Sequence, residues 1–156
     1  MSKPELTLAL KRDLFLKCME LIDEKINFEV KAMEAAQVAA NLETKSSAGD
    51  KYETGRAMMH IEKEKHGFQL EQNQVIRQRL SQIDVEKSQT RIQLGTLVCT
   101  NQGNYFTGVS LGELHIDGNS YFTLSMSSPL GKAFLNKEQG DKFEFRGKNI
   151  TVESLL

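Results

Sequence analysis

Apolar residues recur at helical spacing through the first half of the chain and at strand spacing through the second. Phe15, Met19, Ile22, Ile26, Glu29, Met33, Ala36 and Ala40 follow a four-three step, and all but Glu29 are apolar. This is the seam of a coiled-coil-like helix. Its side chains taper from large to small towards Ala36 and Ala40, which lets a second helix approach closely at that end. The seam stops at Thr44-Lys45-Ser46-Ser47-Ala48-Gly49, a turn-forming cluster. A second helix is expected from near Asp50. In it Ile61, Phe68 and Val75 recur every seven residues, and Ile76, Leu80 and Ile83 extend the apolar face. So short a connection makes the two helices antiparallel neighbours. With about 35 residues in each helix at ~1.5 Å per residue, the pair predicts a rod of roughly 50 Å.

Beyond the polar linker 84–89 the period changes. Ile92, Leu94 and Val98 mark a first strand, and Tyr105 to Val109 a second. Asp117-Gly118, between Leu114-His115-Ile116 and Tyr121-Phe122-Thr123-Leu124, is a two-residue hairpin signal. Phe122, Leu124 and Met126 alternate with Tyr121, Thr123 and Ser125. Ser128-Pro129 reads as the N-cap and first residue of a short helix carrying Leu130, Ala133, Phe134 and Leu135. Gly140-Asp141 turns the chain into Phe143 and Phe145, and Gly147-Lys148 into Ile150 and Val152. About five strands and one helix make a small α+β domain. The expected organisation is a helical hairpin over 1–85 and a sheet-plus-helix domain over 86–156.

Composition supports that boundary. Residues 91–156 hold eight of the eleven glycines, and residues 5–84 hold no proline. Twenty Lys and Arg against 21 Asp and Glu give a net charge of −1, which excludes a strongly basic protein that binds nucleic acid by phosphate neutralisation alone. Cys18 and Cys99 stand too far apart for a zinc motif or a disulfide framework, so a reducing compartment is expected. The run Leu6 to Leu10 is too short for a signal peptide, and polar residues break the stretch from Ile92 to Gly112. The sequence thus predicts a cytoplasmic protein with no membrane partner; no small-molecule substrate is expected either.

Candidate chemistry concentrates at the start of the second helix. Asp50 and Glu53 are three residues apart, so their carboxylates share a helix face. They could contribute to the shell of a hard divalent cation such as Mg²⁺, which takes oxygen ligands and keeps several waters. The same Asp-x-x-Glu spacing also suits a capping box, and spacing alone leaves both readings open. Lys45, Lys51 and Arg56 surround this end as candidate phosphate contacts or as solvated charges. His60, His66 and His115 lack the spacing of a helical metal pair and read as surface or boundary residues. Cys18 reads as packing, and no nucleophile motif surrounds either cysteine.

The helical hairpin with Gly49-Asp50-Lys51-Tyr52-Glu53 at the start of its second helix resembles the Gre transcript-cleavage factors of bacteria, whose tip carries Gly-Asp-x-x-Glu. Gly95-Thr96-Leu97-Val98 resembles the opening strand of that family's globular domain. Ser128-Pro129-Leu130-Gly131-Lys132-Ala133-Phe134-Leu135, followed by Gly140-Asp141, resembles its Ser-Pro-helix-Gly-Asp segment. The likeness covers about residues 15–155. It implies an FKBP-like globular domain that docks on RNA polymerase at the rim of the secondary channel, with the hairpin reaching the active site. Asp50 and Glu53 would be metal ligands and catalytic residues there, helping to hold a Mg²⁺ shared with the polymerase, and the RNA 3′ end would be the second partner. Ser128, Pro129, Leu130 and Phe134 would lie at the polymerase contact. Thr54-Gly55-Arg56-Ala57 departs from the usual Asn-Ala-Glu-Tyr continuation by placing a base where the family has an acid. Two other functions stay open: a Gre-like regulator that occupies the channel without cleaving RNA, and a coiled-coil interaction module unrelated to transcription. A prolyl isomerase is disfavoured by the absence of Trp and of an aromatic-lined pocket pattern.

Overall fold

In a computed structural model, which describes residues 3–43 and 49–156, with the side chains of 43 and 49–52 outside that description, two long helices open the chain. Helix α1 spans Leu8–Glu43 and α2 spans Gly49–Ser81. Six strands and a short helix follow: β1 (Leu97–Thr100), β2 (Gly103–Gly108), β3 (Glu113–Ile116), β4 (Asn119–Ser125), α3 (Pro129–Phe134), β5 (Lys142–Phe145) and β6 (Lys148–Leu155). The class is α+β, a long helical hairpin followed by a six-stranded sheet. No helix among the described residues is long and apolar enough to cross a membrane. The chain forms two compact units. One is Leu21–Arg77. The other combines Met1–Glu20 with Gln78–Leu156.

In the unit Leu21–Arg77 the helices run antiparallel. Asp23 meets Arg77 at 2.7 Å, Glu29 meets His66 at 2.5 Å, and Gln37 accepts from Lys63 Nζ at 2.7 Å. Ile22, Glu29, Ala36 and Ala40 of α1 are buried, as the tapering seam predicts. Gly67 faces the Met33 thioether, whose Cε lies 3.5 Å from where a Cβ would stand, so a bare backbone makes room for the larger side chain. The α2 seam differs from the expected one. Met59, Lys63, His66, Leu70 and Ile76 are half-buried and Asn73 is buried, whereas Ile61, Phe68 and Val75 are exposed. Helix α2 carries two stripes at coiled-coil spacing, and the one holding His66 turns inward, where it supplies a partner to Glu29.

The seam also shifts in the first turns of α1. Leu14 and Cys18 are buried, while Phe15 and Met19 are only half-buried. These turns belong to the sheet-containing unit and pack by its geometry. Lys11, also buried, donates from Nζ to the carbonyl of Lys87 at 2.9 Å, and Arg12 clasps Glu86 through two contacts of 2.5 Å. The polar segment predicted as a linker is thereby held against α1. Burial, opposed by the nearby Asp84 charge, lowers the Lys11 pKa to about 8.

The sheet order is β3-β4-β2-β1-β6-β5, and only β2 and β4 pair in parallel. The first strand begins at Leu97 rather than near Ile92, because Gly95 (φ +84°) and Thr96 turn the chain first. Ile92 is fully buried in that approach and bonds to Lys137 and Asn136. Asp117-Gly118 forms the expected hairpin, with both residues at positive φ. A second hairpin of the same kind turns at Arg146-Gly147, one residue before the expected Gly147-Lys148. Tyr121 and Thr123 are buried and Phe122 is exposed, because both sheet faces are covered in part. Tyr121 lies beside Leu10 and Asp13 of α1. Leu124, on the other face, packs with Phe134, Ile92, Val98, Ile150 and Val152 in the main core.

Candidate functional site at the start of the second helix

Helix α2 already includes Gly49 and Asp50. Asp50 thus sits inside the first turn rather than ahead of it, and the register differs from that of a capping box with Asp50 as N-cap. A carboxylate in the first turn is still favoured by the positive end of the helix dipole, by about 0.3–1 kcal/mol. Residues three apart on a helix are rotated by about 60°. Asp50 and Glu53 therefore share a face, and Arg56 lies a further step round on the Glu53 side. Glu53 and Arg56 are exposed. The side chains of Asp50 and Lys51 and all of Lys45 lie outside the described residues, so the phosphate-contact expectation rests there on sequence.

Two carboxylates on one turn offer a hard cation only part of a shell. The positive end of a helix dipole also disfavours a cation near a helix start. Among the described residues no group of three or more His, Cys, Asp or Glu side chains forms a metal site. The oxygen donors suit Mg²⁺, but a stable site would need further ligands from a partner.

The Ser-Pro segment is built differently from the expected contact patch. Ser128 Oγ accepts from Gly131 N at 3.0 Å and donates to the Ser125 carbonyl at 2.6 Å, so it caps α3. Pro129 takes the first helical position, where no N–H is needed. Gly131 is required by close approach: a Cβ there would stand 2.1 Å from the Ser125 carbonyl oxygen. Leu130 is half-buried against the core. Phe134 is fully buried, with ring contacts to Tyr105 and Phe143 at 5.2 and 5.4 Å. Phe134 is thus a core residue with no surface to offer a partner, and the exposed members of this segment are Pro129, Lys132 and Leu135.

One polar group was visible in the sequence only as an irregularity. Glu29 interrupts the apolar seam, and the structure gives the reason. His66 Nδ1 faces Glu29 at 2.5 Å and His66 Nε2 faces Glu62 at 3.2 Å. The carboxylates lie on opposite edges of the ring, so they do not converge on a common ligand position. Phe28 closes over the imidazole edge-on, with centroids 6.3 Å apart. A charged residue at a seam position was the signal for a cross-helix partner. His60 and His115 are exposed, as expected, and His115 meets Ser120 at 3.1 Å. Cys18 and Cys99 are both buried and unpaired, and burial pushes the Cys18 thiol up to about 11, away from nucleophile chemistry.

No family model, no curated protein and no solved structure matches the chain.

Proposed function

We propose that the chain is a Gre-like transcription elongation factor that enters the secondary channel of RNA polymerase and stimulates Mg²⁺-dependent cleavage of backtracked RNA. The observation that carries this reading is the location of Asp50 and Glu53. They occupy one face at the start of α2, next to the connection of an antiparallel hairpin, in a chain whose remainder is a six-stranded α+β unit. Such an incomplete donor pair makes chemical sense when a partner supplies the other ligands.

In this reading the globular unit is FKBP-like and docks at the channel rim, with Pro129, Lys132 and Leu135 as the exposed part of the α3 contact. Asp50 and Glu53 would hold a Mg²⁺ jointly with the polymerase. That ion, when bound, supplies an activated water for phosphodiester hydrolysis. The chain's own groups orient and retain: two carboxylates give oxygen ligands, and Lys45, Lys51 and Arg56 give positive charge for the RNA 3′ end. No independent activity is expected of the free protein. Its place of action would be the cytoplasm.

Arg56 favours a second reading. An exposed cation one turn beyond Glu53 repels a divalent ion by about 1 kcal/mol at several ångströms in high dielectric. A chain with that handicap could occupy the channel as a non-cleaving regulator. Incubation with a stalled, backtracked elongation complex and Mg²⁺ separates the readings. Release of short 3′ RNA fragments supports the cleavage factor. Altered elongation without fragments supports the regulator. Absence of any binding to polymerase removes both and leaves an interaction module outside transcription.

A further inference from the structure

The outward face of α2 carries a second seam at coiled-coil spacing. Met58, Ile61, Lys65, Phe68, Gln72 and Val75 alternate at three- and four-residue steps, and all are exposed, Ile61 and Phe68 to more than 60%. Phe28 of α1, equally exposed, forms the far wall of an open groove of about 830 Å³ that also includes Ile61, Lys65 and Phe68. The inward face carries Met59, Leu70 and Ile76 together with Lys63, His66 and Asn73, and is already covered by α1. A three-four apolar stripe is what a helix presents to another helix.

The charges on the stripe indicate what covers it. Lys65 lies in the middle, and Glu64 and Glu71 lie four residues before and three residues after Phe68, beside the apolar line. A helix of one dominant sign would set like charge against either Lys65 or the two glutamates. A second copy running in the opposite direction meets both. We propose that this face is a homodimer interface in which α2 packs antiparallel on α2 of a second copy, centred between Lys65 and Phe68. Met58 then lies opposite Val75 of the other copy, Ile61 opposite Gln72, and Lys65 crosses Phe68 to reach Glu64 or Glu71. A parallel arrangement would stack Lys65 on Lys65. Isologous contact of this kind closes on two copies. The inference is independent of the transcription reading and needs no polymerase to test.

Sedimentation equilibrium of the full chain from about 1 to 300 μM tests it. The expected result is a monomer–dimer equilibrium. Phe68→Lys should raise the dimer dissociation constant about a hundredfold, since each dimer loses the apolar contact twice and sets a like charge against Lys65 twice. Phe68 is exposed, so circular dichroism should show the fold unchanged. Ile61→Cys/Gln72→Cys should give a covalent dimer on mild oxidation, whereas Ile61→Cys alone should not. A monomer over the whole range overturns the proposal, as does a dimer indifferent to Phe68→Lys. A monomer that instead takes up an amphipathic Lys/Leu model peptide would assign the groove to a different helix and also overturn it.

Discussion

The Cγ2 of Ile83 lies 2.7 Å from the point where Gly95 would carry a Cβ. Gly108 receives the same side chain from another direction, with Ile83 Cδ1 at 3.0 Å from its own virtual Cβ. Ile83, two residues past the end of α2, is therefore seated against two bare backbone positions, one just before β1 and one at the end of β2. Gly95 is also at φ +84°, a conformation that costs other residues energy. Gly95→Ala should destabilise the sheet-containing unit by about 2–4 kcal/mol, combining backbone strain with overpacking. Gly112→Ala is the control: its φ is +87° but no atom lies within 4 Å of a Cβ there, so it should cost only the strain, about 1–2 kcal/mol. Urea denaturation of both variants measures the difference. Equal losses would mean that Ile83 moves aside freely.

The Glu29–His66 pair makes a prediction about single and double substitutions. His66→Leu leaves Glu29 buried without its partner and should cost about 3 kcal/mol. Glu29→Leu with His66→Leu removes both polar groups from the seam and should recover most of that loss. A double-mutant cycle read by chemical denaturation gives the coupling directly. If the two single changes add, the pair contributes nothing specific to the hairpin.

Lys11 gives stability a pH dependence of definite sign. Its pKa falls from 10.5 in the unfolded chain to about 8 in the fold, chiefly through burial. Between about pH 8 and 10.5 the unfolded chain therefore holds a proton that the folded chain has released. Stability supplied through Lys11 rises with pH across that window. Wild type should gain on Lys11→Met between pH 7.5 and 10, because methionine has no proton to release. The measurement is the difference between their urea midpoints at the two pH values. A difference that does not change with pH would show that the ammonium stays hydrated in the fold.

The hairpin and the Asp117-Gly118 turn were legible because each has a local cause: a four-three seam and a pair of residues that accept positive φ. What failed depended on partners distant in sequence. The repeat of Ile61, Phe68 and Val75 was real, but α2 has two stripes, and contacts from the other helix, Glu29 to His66, Gln37 to Lys63 and Met33 to Gly67, accompany the one that turns inward. In β4 the alternation was real too. With α1 beside Tyr121 and the α3 core beside Leu124, hydrophobicity could not say which face was more buried. The Ser128-to-Leu135 segment read as a contact patch, and Phe134 is the member that the fold takes off the surface. Its serine, proline and glycine answer to the geometry of one short helix, and Phe134 to the core. Asp50 and Glu53 were legible as a pair on one face, since that needs only helical spacing.

The most direct test of the functional proposal uses Asp50→Ala and Glu53→Ala in the full-length chain. Losing a first-turn carboxylate should cost at most about 1 kcal/mol of helix stability, so the variants should fold. Each is added to a stalled, backtracked elongation complex carrying labelled RNA and Mg²⁺, and binding to polymerase is measured in parallel by competition with wild type. The account predicts that wild type releases short 3′ fragments, and that both variants compete equally well for polymerase but release none. Fragment release by the variants at the wild-type rate would contradict it, and would leave the two carboxylates with a role in the first turn of α2 alone.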